Sequence, residues 1–258
     1  MGLWQAGFFP VGLDNRQAPL KHYPFSHILA DLLDVDIPLL VEQIKPSLII
    51  AGPPCQGYSD SASLRNGRPV TTRRKSEAHP PQNLIPYLRA QLNTLSKQIP
   101  FIIENVEGAE AELIPSLTIR LCGSSFGLRV RRHRLFELHH ISLANTHVPR
   151  CDHKWQEDLP LYENNRSRPT GIIQVFGTSS KGIKLRNPAN RTQTQTELAR
   201  VAMGIDWMPA RDLSQAIPPA YTRYLGRQVI RQLPQPSAAS AASASRNGHR
   251  PRLRLVHD

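Results

Sequence analysis

The sequence predicts an α/β fold, a doubly wound and mostly parallel sheet carrying a small basic lobe. Three observations predict it. Short apolar, β-prone runs alternate with segments of helical spacing through roughly the first hundred residues. Side chains able to do chemistry, Asp14, Asp31, Cys55 and Glu104, fall at the ends of the predicted strands, where such sheets bind ligands. Hydrophobic residues make up 40% of the 258 residues, enough for a core, while 32 Lys and Arg against 20 Asp and Glu leave a net charge of +12.

Each element can be justified in order. Residues 8–13 read as a strand ending at Asp14, and 26–33 as a turn and short strand ending near Asp31. Residues 39–44 read as the end of a helix. Ser47 to Ala51 (SLIIA) is a buried strand broken at once by Gly52-Pro53-Pro54. Residues 84–95 have apolar residues at helical spacing, and 101–103 form another buried strand followed by Glu104-Asn105-Val106. Residues 121–138 flank an Arg-rich centre with two β-prone runs, a hairpin or strand pair. Residues 139–191 are irregular and basic. Helices are expected over 194–203, ending at Gly204, and over 219–233, with Pro219 in the first turn. Residues 235–258, Ser/Ala-rich and then Arg-rich with four arginines against one aspartate, read as a disordered basic tail.

Composition narrows the function. A pI near 10.2 fits a polyanion partner, nucleic acid first and an anionic membrane surface second. The apolar runs are too short to span a bilayer, and the N-terminus lacks the pattern of a secretory signal. Cys55, Cys122 and Cys151 are widely spaced and odd in number, which argues against a disulfide framework and for a reducing, cytoplasmic compartment. His147, Cys151 and His153 make only an incomplete zinc pattern, with His139 and His140 nearby, so no metal site is expected.

The strongest local signal is Gly52-Pro53-Pro54-Cys55-Gln56-Gly57-Tyr58-Ser59. Two prolines stiffen the approach to a thiol presented after a buried strand, a placement suited to nucleophilic attack. An isolated buried cysteine is more often a small hydrophobe. Glu104 read alone could equally be a salt-bridge partner at a strand end.

With AGPPCQGYS at 51–59, FIIENVEG at 101–108, RVRRHRLFE at 129–137 and QAIPPAYTRYLG at 215–226, in this order and spacing, the chain resembles the cytosine-C5 DNA methyltransferases in their compact phage and prophage form. The resemblance runs from about Gly2 to Leu233. It implies a Rossmann-like catalytic domain over 1–138, a target-recognition region over 139–191, C-terminal helices returning over 192–234, and the tail over 235–258. It implies Cys55 as the nucleophile at carbon 6 of a flipped-out cytosine and Glu104 as the acid at ring nitrogen 3. Burial against Ile102, Ile103 and Val106 would keep that carboxyl protonated. Arg132 and Arg134, at alternate positions of the expected strand, would hold the base carbonyl and a phosphate. Val130 stands where the family has Gln. Asn105 is expected to shape the loop.

The resemblance also implies S-adenosylmethionine as cofactor, with Asp14 toward the ribose hydroxyls, Asp31 toward the adenine amine, Pro53 in the pocket, and Gln215 and Ile217 in the closing motif, where Ser214-Gln215 replaces the usual Gly-Asn. Met1 to Gly7 looks like the helix that follows the family's first strand and glycine-rich loop, so either the start lies within a longer protein or the chain is a truncated, inactive form. The implied partner is double-stranded DNA, bound by a monomer. Flipping the base costs a few kcal/mol. Arg150, Lys154, Arg166, Arg168, Lys181, Lys184, Arg186 and Arg191 suit phosphate positioning and groove readout. An inactive DNA-binding remnant and an RNA methyltransferase of the branch sharing the Pro-Cys-Gln motif remain alternatives.

Overall fold

A computed structural model describes residues 1–16, 23–55, 58, 64–65, 68–69, 84–95, 98–142, 147–151, 175 and 195–234. The basic tail and most of the expected recognition region lie outside the described residues.

A short helix α1 (Gly2–Gln5) precedes strand β1 (Val11–Asp14), which runs parallel to β2 (Ser26–Leu29) with Asp14 opposite Leu29. Asp31 caps a 3-10 turn over Leu32–Asp34, its carboxylate accepting from the Leu33 N–H at 3.0 Å. Helix α2 (Ile37–Ile44) starts on an Asp36 cap bonded to Leu39 N–H and ends with Lys45 in the left-handed region. Strand β3 (Ile49–Ala51), the pair β4 (Leu64–Arg65) and β5 (Arg68–Pro69), and helix α3 (Leu84–Asn93) follow. Strand β6 (Phe101–Asn105) is buried along its whole length. Beyond it come a 3-10 segment over Glu107–Glu112, strands β7 (Thr118–Leu121) and β8 (Arg134–His139), and helices α4 (Gln195–Met203), α5 (Ala210–Leu213) and α6 (Pro219–Ile230).

The principal sheet has the order β3-β6-β8-β7. β3 and β6 are parallel, with Ile50 opposite Ile102, while β8 is antiparallel to both β6 and β7. The sheet is therefore mixed, its parallel half carrying the Cys55 loop and its antiparallel half the arginines. Period-2 alternation sends side chains to opposite faces. Phe101, Ile103 and Leu135 pack with Ile37, Ile85, Leu88 and Leu92 under α2 and α3. Ile102, Phe136 and Leu138 pack with Tyr221 and Leu225 of α6. Helices on both faces make this the doubly wound α/β class that the alternation of strands and helices predicts. A third cluster gathers Val130 and Val175 with Ala199, Met203, Ile205 and Leu213.

Helix α1 is laid against α6 because Gly2 leaves room for it. A Cβ at that position would run into the Pro219 carbonyl and the Thr222 hydroxyl. No helix among the described residues is long and apolar enough to cross a membrane.

Candidate active site

The Cys55 loop leaves β3 at the edge of the sheet and is tied to β6. Asn105, buried at the end of that strand, donates from Nδ2 to the Pro53 carbonyl at 3.2 Å, and its Oδ1 accepts from the Val106 N–H at 2.9 Å. The side chain thus sets the loop, as expected for Asn105. A turn closes behind the thiol, with Tyr58 N–H donating to the Cys55 carbonyl at 2.9 Å. Gly108 packs on that turn, and a Cβ there would collide with the Tyr58 carbonyl oxygen. Cys55 is half-buried and not in a disulfide; Pro53 is buried.

Glu104 and Arg134 meet through strand register. Glu104 on β6 lies opposite Phe136 on β8, so Arg134, two residues along, is its diagonal neighbour on the α6 face. Arg134 Nε lies 3.0 Å from Glu104 Oε1, and Arg134 Nη1 donates to the His133 carbonyl at 2.7 Å. Glu104 is buried, with Oε2 directed at Gly52 of the Cys55 loop. Burial raises the Glu104 carboxyl above its ordinary value, opposed by Arg134 and then Arg132. Glu104 is a salt-bridge partner at a strand end, but a buried one rather than a surface one.

Arg132 differs from expectation in its setting. β8 begins only at Arg134, so strand alternation does not position Arg132. Its buried guanidinium instead donates to two backbone carbonyls, Val175 at 3.1 Å and Ser214 at 2.7 Å, and its own carbonyl accepts from the Tyr221 hydroxyl at 2.6 Å. Arg132 Nε has no partner among the described residues. Burial, then Arg134, bring Arg132 down to about 10, while Glu104, Tyr221 and Cys55 act in the other direction, so it stays cationic at neutral pH. Tyr221, Val175 and Ser214 are supports that sequence reasoning missed in this role; Tyr221 stands in the QAIPPAYTRYLG segment and Ser214 directly before it, whereas Val175 carries no signal.

The expected cofactor residues fall into two groups. Asp14 and Asp31 lie at the carboxyl ends of the paired strands β1 and β2, where Asn15 Nδ2 donates to Asp31 at 2.8 Å and Arg16 N–H donates to Asp14 at 2.8 Å. Two adjacent carboxylates at the end of a parallel strand pair fit ribose hydroxyls and an exocyclic amine. Gln215 and Ile217 instead flank the Arg132 side: Gln215 follows Ser214, the acceptor for Arg132, and Ile217 packs with the α6 cluster.

Beside this centre, Cys122, His133 and Cys151 bring their ligand atoms within 4.8 Å of one another. The hydrogen bond with Cys122 first, with Glu107 and Cys151 after it, pushes the His133 ring up to about 9 against its desolvation.

No protein-family model matches the chain, and no curated protein matches it by sequence. Solved structures do. A DNMT2 mutant from Spodoptera frugiperda superposes with a TM-score of 0.56 at 13% identity, covering 89% of this chain and 96% of that one. The Entamoeba histolytica methyltransferase EhMeth gives a TM-score of 0.55 at 14% identity, over 91% and 96%. An E. coli prophage-encoded protein described as a putative DNA modification methyltransferase gives 0.53 at 14%, over 89% and 94%. The fold of this chain is the fold of these methyltransferases.

Proposed function

We propose that the chain is a cytosine-C5 methyltransferase of the compact phage or prophage type, acting on double-stranded DNA. The observation that carries this reading is the Glu104–Arg134 pair at one end of the central strands β6 and β8, with Asn105 of the same strand end holding the Cys55 loop through the Pro53 carbonyl. That set is what cytosine methylation at carbon 5 requires, because the carbon is a poor nucleophile until a thiolate adds at carbon 6.

Cys55 attacks carbon 6 as its thiolate. Glu104, whose carboxyl burial raises above its ordinary value, hands a proton to ring nitrogen 3 and so offsets the charge built by addition. Arg134 keeps the carboxyl oriented, and its fork suits the base carbonyl or a phosphate. S-adenosylmethionine, held by Asp14 and Asp31 on one side and by Pro53, Gln215 and Ile217 on the other, supplies an electrophilic methyl group when bound. Loss of the carbon 5 proton to water then expels the thiolate from carbon 6 and returns Cys55, and the nitrogen 3 proton goes back to Glu104. The excess of positive charge supports a polyanionic substrate.

Transfer of labelled methyl from S-adenosylmethionine to duplex DNA, with RNA as competitor, tests this. Expected is label at cytosine carbon 5 of DNA, lost in Cys55→Ala with the fold intact. Undiminished transfer in that variant overturns the assignment of Cys55, and label entering only RNA overturns the substrate. Calorimetric titration with S-adenosylmethionine separates failure of the cofactor site from failure of the chemistry.

A further inference from the structure

We propose that Cys122, His133 and Cys151 bind a zinc ion, as three ligands of a tetrahedral site set apart from the reacting centre. Spacing in the sequence groups Cys151 with His147 and His153; the fold groups it with residues 18 and 29 positions earlier in the chain. Cys122 immediately follows β7, and His133 immediately precedes β8, so the antiparallel pairing of Leu121 with Arg134 brings the two together. Cys151 arrives on a stretch held over α6, where Val148 packs with the Tyr221 cluster and the His147 carbonyl accepts from the Tyr224 hydroxyl at 2.9 Å.

The geometry fits the ion. Three atoms pairwise within 4.8 Å all lie within 4.8/√3, about 2.8 Å, of a common point, against Zn–S of about 2.3 Å and Zn–N of about 2.0–2.1 Å. Small side-chain rotations close the difference. The second observation is Glu107, whose Oε2 lies 2.9 Å from His133 Nδ1. A carboxylate on one ring nitrogen fixes the tautomer and orientation that present the other nitrogen to a metal, the arrangement that accompanies ligating histidines. The charges balance as well. With the two thiols and the ring giving up their protons on binding, two thiolates and a neutral imidazole neutralise a divalent ion, which suits the nearly complete burial of Cys122. Water or another ligand completes the tetrahedron.

Such an ion would pin the start of the basic segment to the strand that carries Arg134. Metal binding stands independently of the methyltransferase reading, so failure of either leaves the other to be judged on its own assay.

The test uses the full chain purified without an affinity tag and with its thiols reduced. Elemental analysis after zinc reconstitution and dialysis should find one zinc per chain. Cys151→Ser, altering a half-buried ligand, should lose it with the circular dichroism spectrum retained. Glu107→Gln should weaken zinc binding about 10–100-fold. Cobalt substitution of the unmutated chain provides a second readout, with intense visible bands of tetrahedral cobalt and thiolate charge-transfer bands expected. Absence of bound zinc, zinc retained at full stoichiometry in Cys151→Ser, or an octahedral cobalt spectrum without thiolate bands each overturns the proposal. So does a quantitative Cys122–Cys151 disulfide that persists under reduction and excludes the metal.

Discussion

Glu137 is a fully buried carboxylate on β8, facing α3, and its replacement by Gln tests how the sheet is held. Four donors converge on it: Arg89 Nε at 2.6 Å and Nη2 at 2.7 Å, Ile114 N–H at 2.6 Å, and His139 Nε2 at 2.7 Å. Arg89 also donates to the Glu112 carbonyl at 2.6 Å, so one pair ties α3, the 3-10 segment and β8 together. Glu137→Gln keeps the shape, removes the charge and turns an NH2 group toward groups that themselves donate. Removing one partner of a buried pair costs about 3–5 kcal/mol. The Arg89 side chain is 18% exposed, so water relieves part of the loss and the lower end, about 3 kcal/mol, is expected. With a urea slope of about 1–3 kcal/mol/M, the unfolding midpoint should fall by about 1–3 M. Burial raises the Glu137 carboxyl, but the bonds from Arg89, His139 and Ile114 outweigh it and hold the group below its ordinary value. Its stabilisation is therefore present above the unfolded value near 4.5 and lost as pH falls through the folded one. That acid-side slope should diminish in Glu137→Gln. A midpoint shift equivalent to less than about 1 kcal/mol would refute the reasoning, because a carboxylate so thoroughly bonded cannot be dispensable if the pair holds the sheet.

Four further outcomes are expected. Glu104→Gln should lower turnover by about 10²–10⁴-fold, and Arg134→Met should move the alkaline limb of the pH–rate profile upward, since burial already raises Glu104 and Arg134 opposes the rise; a limb that stays in place would separate Glu104 from the rate. Gly108→Ala should cost about 1–3 kcal/mol and reduce turnover more than thermal stability accounts for, because the new methyl group pushes on the Tyr58 carbonyl behind Cys55. Tyr221→Phe should cost about 1–3 kcal/mol by leaving the buried Arg132 carbonyl without its donor, read as a drop in unfolding midpoint with Arg132 still folded into the site.

Much of this chain was legible from local pattern. The apolar run at β3 and the break at Gly52-Pro53-Pro54 locate the Cys55 loop without any tertiary information, as helical spacing locates α3 and α6. Asp14 and Asp31, read separately at two strand ends, lie at the same end of the paired strands β1 and β2, where Asn15 donates to Asp31. Strand extent was less legible: β6 runs through Glu104 to Asn105, because both polar side chains find partners that permit their burial. Arg132 was read as a strand residue, although it precedes β8 and owes its position to carbonyls 43 and 82 residues away. No local pattern encodes a donor–acceptor pair at such separation.

By itself, then, the sequence determined the class of fold, the order of its elements and the chemical types at the strand ends, since these follow from periodicity, turn residues and side-chain chemistry over a few residues. Only the tertiary structure decided which face Glu104 shares with Arg134, what anchors Arg132, and that Cys151 lies beside Cys122 and His133. Those are consequences of strand register and sheet order, which are set when distant apolar faces are buried together, and burial is also what moves the Glu104 carboxyl toward the protonated form.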